Sequence, residues 1–385
     1  MRLLWKILAA IALGIGAGYV MPEWGARVLA TFNAIFSQFL GFLIPLLILG
    51  YVAPAIAEIG SRAGKLLLAT ALIAYGMTVA SGWLAFGTGA WLFPKVIAPD
   101  PSVAALQPGA AAVADLSPYF TVEMPPLFGV MSALVLAFVA GLGMAYCGST
   151  ALKRGFNEFR DIITRTILAV IIPLLPLYIF GIFMIMTIEG QVGKVLMTFV
   201  SIIAIIFALH LLLLLAQFSI AGIVGRRNPL KLLKAMLPAY VTALGTQSSA
   251  ATIPVTLRQV KALGVNGSVA GFVVPLCATI HMSGSALKIT ACALALMIMQ
   301  GMPWGVGEFA GFIAMLGITI IAAPGVPGGA IMASLGLLTS MLGFSEADNA
   351  LMIALYITMD SFGTACNVTG DGAIAVIVNR LFPQK

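Results

Sequence analysis

The stretch LPAYVTALGTQSSAATIPVTL, residues 237–257, is apolar at both ends and polar in its middle. That middle, GTQSSAATIP (245–254), is built of glycine, serine, threonine and proline, which weaken or end a helix. Lys231 and Lys234 precede the stretch, and Arg258 and Lys261 follow it. Basic residues gather on the cytoplasmic side of membrane segments, so both flanks belong on the same side. The segment then enters the membrane, turns at its Gly/Ser-rich tip and returns. Backbone that is not helical at membrane depth survives only where protein or a water-filled cavity covers it. The alternative is an ordinary crossing helix with one polar face.

A second apolar run, Phe309 to Leu342, is interrupted by AAPGVPGGA (322–330). Its flanks carry Glu308, Glu346 and Asp348 and no Lys or Arg, which suits the external side. Two interrupted segments entering from opposite sides point to an inverted-repeat transporter with its site near the midplane.

The rest of the chain supplies the membrane frame. It is 61% hydrophobic and 9% charged over 385 residues, outside the range of soluble domains. Apolar stretches near 3–21, 28–58, 63–94, 126–148, 163–188 and 195–225 reach the roughly 20 residues needed to span about 30 Å of hydrocarbon. Arg2 and Lys6, Arg62 and Lys65, Lys153 to Arg165, and Arg226 to Lys234 alternate with connections that hold only Arg27, Lys95 or Lys194. That alternation places both termini in the cytoplasm and makes 96–125 an external loop. A helix of about 265–300 separates the hairpins, and a last helix follows them. The expected fold is an all-α polytopic membrane protein with eight transmembrane helices and two re-entrant helical hairpins. The first apolar run lacks a cleavage site and reads as a first helix, not a removed signal peptide. Cys147, Cys277, Cys292 and Cys366 lack metal-like spacing and read as buried hydrophobes. The +7 net charge records topology, and no tract suits nucleic acid.

Chemistry concentrates in MDSFGTACNVTGDGAIAVIV (359–378). A carboxylate inside the membrane is costly and faces a cavity, a partner or an ion. Asp360, Gly363, Thr364, Asn367 and Asp371 share one stripe of about 100° on a helix. Ser248 and Ser249, at the tip of the first hairpin, suit a substrate carboxylate, since broken helix N-termini favour anions. Asp360 suits a substrate ammonium, and Asp371 suits a bound cation. Either aspartate has a structural alternative, pairing with Lys288 or with hairpin backbone. His281 is a candidate proton carrier or a packing histidine. His210, in FALHLLLLL, reads as packing. Lys288 is a built-in charge replacing an ion, or a structural partner. Ser285 and Lys288 also spell Ser-x-x-Lys, but the companion elements of an acylating serine enzyme are absent. No enzyme is expected. A passive channel is the remaining rival.

QSSAATIPVT (247–256), PLCATIHMSGSAL (275–287), GVPGGA (325–330) and D-x-x-x-T-x-x-NVTGD (360–371) stand in one order. Together they resemble the dicarboxylate/amino acid:cation symporter family. The resemblance implies an elevator mechanism and a homotrimer in the bacterial inner (plasma) membrane. It implies a scaffold of about 1–62 and 126–190, and a transport domain of about 63–95 and 195–385. Asp360 would hold the substrate amino group, Ser249 and Asn367 its carboxylate, with Thr364 and the Gly325–Val326–Pro327 tip closing the pocket. Asp371, with carbonyls of Cys277, His281 and Asn367, would hold one sodium ion. Thr279 and Met282, with carbonyls near Ile320 to Ala323, would hold another.

Departures from the family pattern sharpen the expectation. The position that is often Arg in members with acidic substrates is Gly363, and Gln247 supplies no Arg from the first hairpin. Asp360-Ser361-Phe362-Gly363-Thr364 looks like the serine/threonine branch. A small or polar neutral amino acid such as serine, threonine or alanine is therefore the expected substrate. The alternative is a C4-dicarboxylate or acidic amino acid, with His281 or Lys288 as the positive charge. Where the family has Asn-Met-Asp-Gly-Thr this chain has His281-Met282-Ser283-Gly284-Ser285, and near Thr78 a hydroxyl becomes Val79. A third ion site at Thr78, His281, Ser283 and Lys288 is expected to be altered, with fewer sodium ions coupled or protons in their place.

Overall fold

A computed structural model of the chain describes residues 2–61, 65–97, 116–190, 192–321, 323 and 328–382. Among these, regular structure is helical and no strand occurs. The first half comprises α1 (Arg2–Gly18), α2 (Glu23–Ser61), α3 (Lys65–Val96), α4 (Val130–Cys147), α5 (Thr150–Thr166), α6 (Ile172–Ile188) and α7 (Val192–Gly225), with a π-helical turn at Ile167–Ile171 joining α5 to α6. Six passages are long and apolar enough to cross a membrane, while α1 and α4 are shorter.

Both interrupted segments are helical hairpins. The first is α8 (Pro229–Thr246) with α9 (Ser249–Ala262). Gln247 ends α8 at a positive φ of 54°, and the Ser248 hydroxyl accepts from the Ala251 N–H at 3.2 Å to start α9. That side chain satisfies one of the N–H groups a helix start leaves unpaired. The second hairpin is α12 (Val306–Ile321) with α13 (Gly329–Leu342), and Gly328, at φ 77°, precedes α13. Gly325, Val326 and Pro327 lie outside the described residues, as does most of the 96–125 loop.

Two passages are broken where the sequence reads as one helix. The 265–300 segment is α10 (Gly267–Ile280) and α11 (Ser283–Gln300), separated by His281 and Met282. The last passage starts earlier than the aspartates, as α14 (Glu346–Thr358), and continues after Met359 as α15 (Asp360–Leu381). A reciprocal box of Ser345 and Asp348 caps α14. Among the described residues the architecture is thus eight helical passages, six of them long and apolar enough to cross a membrane, and two hairpins, four of these ten units being discontinuous.

The helices pack in close pairs. In the first half α1 lies on α6, and α2 on α4, α5 and α6. In the second, α15 lies on α7, α8 and α10, and α11 on α3. Lipid is as apolar as leucine, so close van der Waals fit drives such contacts. α3 accordingly buries a stripe of small residues, Ala74, Thr78, Gly82, Ala85 and Gly89. α11 is buried on every side and α15 on nearly every side, so their polar residues face protein and not lipid.

Candidate functional site

The breaks between α10 and α11 and between α14 and α15 bring chain ends and polar side chains to one place. Asp360, the first residue of α15, is 5% exposed. Its Oδ2 accepts from the Gly328 N–H at 2.8 Å, so the start of α13 docks on this carboxylate. Its Oδ1 lies 3.5 Å from Nζ of Lys288. The same ammonium donates to the Met359 carbonyl at 3.3 Å and sits 3.6 Å from the centre of the Tyr356 ring. The structural alternative for Asp360, pairing with Lys288 and hairpin backbone, is what the geometry contains.

Asn367 lies two turns further along α15 and ties the passages together. Its Oδ1 accepts from the Gly284 N–H at 2.8 Å. Its amide donates to Ser285 Oγ at 3.2 Å and to Met282 Sδ at 3.4 Å. Ser285 Oγ is also 3.0 Å from the Tyr356 hydroxyl. Ser285 therefore partners Tyr356 and Asn367, while Lys288 partners Asp360. Thr364 donates to the Asp360 carbonyl at 2.9 Å. Ser248 caps α9, and Ser249, half-buried, is the first residue of that helix.

Asp371 is 1% exposed, and its Oδ1 meets Nδ1 of His281 at 2.9 Å. That nitrogen is also 3.2 Å from the Asn367 carbonyl, and the His281 N–H donates to the Cys277 carbonyl at 2.9 Å. On the far side of the imidazole, the Gln217 amide reaches Nε2 at 3.4 Å and Ser283 Oγ at 3.0 Å. An ionised carboxylate has no hydrogen to give, so at the 2.9 Å contact the hydrogen lies on Nδ1 and points toward Asp371. Thr78 Oγ1 donates to the Ala74 carbonyl and accepts from the Met282 N–H, and Ser81 donates to the Ser283 carbonyl. His210 Nε2 lies 3.3 Å from the Gly284 carbonyl, within hydrogen-bond distance.

Sodium needs oxygen lone pairs turned toward one point. Asp371 Oδ1 and the Asn367 carbonyl both face ring Nδ1 of His281, while the Cys277 carbonyl accepts from the His281 backbone N–H; the ring nitrogen stands between the two oxygens, and the residues present there do not fit sodium. The expected third place holds Ser283 where the resemblance puts a carboxylate, Thr78 Oγ1 is engaged with the Met282 N–H, and Lys288 is paired with Asp360. It fits no better. At the second place Thr279 donates to the Leu276 carbonyl, Met282 receives the Asn367 amide, and Ile320 and Ala323 stand at the end of α12. Thr279 and the end of α12 supply oxygen, the donor a hard cation takes.

Two contributors escape sequence reasoning. Gln217 is a lone amide in LLLLLAQFSI and belongs to no motif; its only signal is polarity inside a spanning segment. Tyr356 lies in an apolar run and is recognisable only by what it touches.

A family model described as the sodium:dicarboxylate symporter family matches residues 3–381. Excitatory amino acid transporter 2 of Homo sapiens is 34% identical over 160 residues, 41% of this chain and 28% of that protein. Excitatory amino acid transporter 4 of Mus musculus is 31% identical over 164 residues, 42% and 29% of the two chains. An excitatory amino acid transporter of Caenorhabditis elegans is 33% identical over 154 residues, 40% and 30%. The matched stretch spans less than a third of each relative.

Proposed function

The chain belongs to the sodium:dicarboxylate symporter family, and from that premise we propose that it is a secondary active carrier of amino acids. Small or polar neutral amino acids such as serine, threonine or alanine are the proposed cargo. The observation that carries this reading is Asp360, a buried carboxylate touching the start of α13 at the mouth of a break in the last passage. A substrate ammonium arriving there would exchange with Lys288 on Asp360. Its carboxylate would meet the Asn367 amide and the N-terminus of α9 at Ser248 and Ser249, where the helix dipole favours an anion.

A cotransported cation, sodium or a proton, is proposed with it. Thr279, Met282 and the carbonyls closing α12 are the proposed place for sodium. The helices of about 1–62 and 126–190 are proposed as the scaffold of a homotrimer in the bacterial plasma membrane. The rest would slide through it as an elevator, carrying the site across.

A specific observation favours a second reading. The Lys288 ammonium lies beside Gly363, and a Cβ on that glycine would be 2.6 Å from Nζ. A positive charge therefore stands where a side chain at position 363 would begin, and it suits an acidic amino acid or C4-dicarboxylate. Direct uptake of each labelled amino acid and of several labelled dicarboxylates separates the two. Uptake of serine, threonine or alanine alone supports the first, and uptake of aspartate or succinate alone supports the second.

A further inference from the structure

The two intramembrane carboxylates are held in the same way. Asp360 meets Lys288 and Asp371 meets His281. The two nitrogen donors are seven residues apart in sequence, and so are two glycines of α15, Gly363 and Gly370. Each glycine admits one donor. A Cβ on Gly363 would lie 2.4 Å from Lys288 Cε, and a Cβ on Gly370 would lie 2.5 Å from His281 Cε1. Those are overlaps, so α15 is cut away at both places to let the side chain through. The pattern is a ladder of two rungs between α15 and the α10–α11 passage. His281 and Lys288 are 1% and 0% exposed.

The His281 rung stands where the family resemblance puts an ion. Nδ1 lies between two oxygens, the Asp371 carboxylate at 2.9 Å and the Asn367 carbonyl at 3.2 Å. An N–H pointing at both engages the lone pairs that a cation there would draw inward. An ionised carboxylate only accepts, so the hydrogen at this contact lies on Nδ1. Gln217 backs the ring, its side-chain amide 3.4 Å from Nε2 and 3.0 Å from Ser283 Oγ.

We infer that His281 is a tethered replacement for sodium at Asp371, positioned by Gln217, and that this carrier binds no sodium at that carboxylate. The inference rests on the carrier function proposed above only for its consequence, a smaller number of coupled ions. Its physical content concerns the empty protein.

The test uses purified protein in nanodiscs without substrate, titrated with sodium chloride at constant ionic strength made up with choline chloride. Equilibrium binding of radiolabelled sodium and the thermal unfolding midpoint are both read, since an ion that binds the folded state raises that midpoint. Asp371→Asn is expected to change the sodium response of the wild type by less than about twofold. His281→Asn removes the ring and leaves the oxygens, and is expected to gain one additional saturable sodium ion. The inference is overturned if Asp371→Asn abolishes sodium binding or weakens it by about tenfold or more. It is also overturned if folded His281→Asn gains none. Should His281→Asn fail to fold, the Asp371→Asn comparison decides alone. Absence of uptake for every amino acid would instead sink the carrier function and leave these sodium measurements standing.

Discussion

Replacing Lys288 by methionine isolates the charge on which Asp360 depends. Methionine is unbranched and close to the lysine stem in volume, so little packing is lost. What disappears is an ammonium 3.5 Å from Asp360 Oδ1, 3.3 Å from the Met359 carbonyl and 3.6 Å from the Tyr356 ring centre. Removing one partner of a buried ion pair costs about 3–5 kcal/mol because the remaining charge is uncompensated. The pair is long and Asp360 keeps the Gly328 N–H at 2.8 Å, which argues for the lower end, about 3 kcal/mol. The double variant Lys288→Met/Asp360→Asn removes both charges and should recover most of the loss. Denaturant unfolding of the wild type, both single variants and the double variant, followed by tryptophan fluorescence, gives the coupling directly. A Lys288→Met variant within about 0.5 kcal/mol of the wild type would refute the reasoning. So would a double variant no more stable than the single one.

Other expectations follow from single contacts. Gly363→Ala places a methyl 2.4 Å from Lys288 Cε; the lysine has no solvent to retreat into, so a loss of about 1–3 kcal/mol is expected by the same unfolding assay. Gln217→Leu leaves Ser283 Oγ and His281 Nε2 without their amide donor, and should cost about 1–3 kcal/mol; hydrogen exchange around the α10–α11 break should rise with it. Ser345→Ala removes half of the α14 capping box and should cost about 0.5–2 kcal/mol without altering substrate affinity, measured by competition.

The hairpins were legible because Gly, Ser and Pro clusters mark their tips and flanking charge marks their side. The breaks at His281–Met282 and at Met359 were not. TIHMSG and ITMDSF contain no proline, and methionine favours helix; tertiary contacts decide there, the Asn367 amide on Gly284 at one and Lys288 on the Met359 carbonyl at the other. The aspartate stripe was legible from spacing, since α15 carries it without interruption from Asp360 to Asp371. Of the partners those aspartates take, Lys288 is readable as one alternative and His281 beside Asp371 is not. Sequence separation of 72 residues between Lys288 and Asp360 and 90 between His281 and Asp371 leaves nothing local to read. The glycines that admit them, Gly363 and Gly370, look in the sequence like ordinary small residues of a membrane helix.

Uptake by proteoliposomes tests the central claim, that Asp360 sits in the binding site of an amino acid carrier. Vesicles carrying the wild type, loaded with potassium buffer and diluted into sodium buffer or into acid buffer, are expected to concentrate labelled serine, threonine or alanine above the outside level. Asp360→Asn, inserted in equal amount, is expected to bring uptake to that of protein-free vesicles. Undiminished amino acid accumulation by Asp360→Asn, or wild-type vesicles that concentrate none of the twenty amino acids under either gradient, would contradict it.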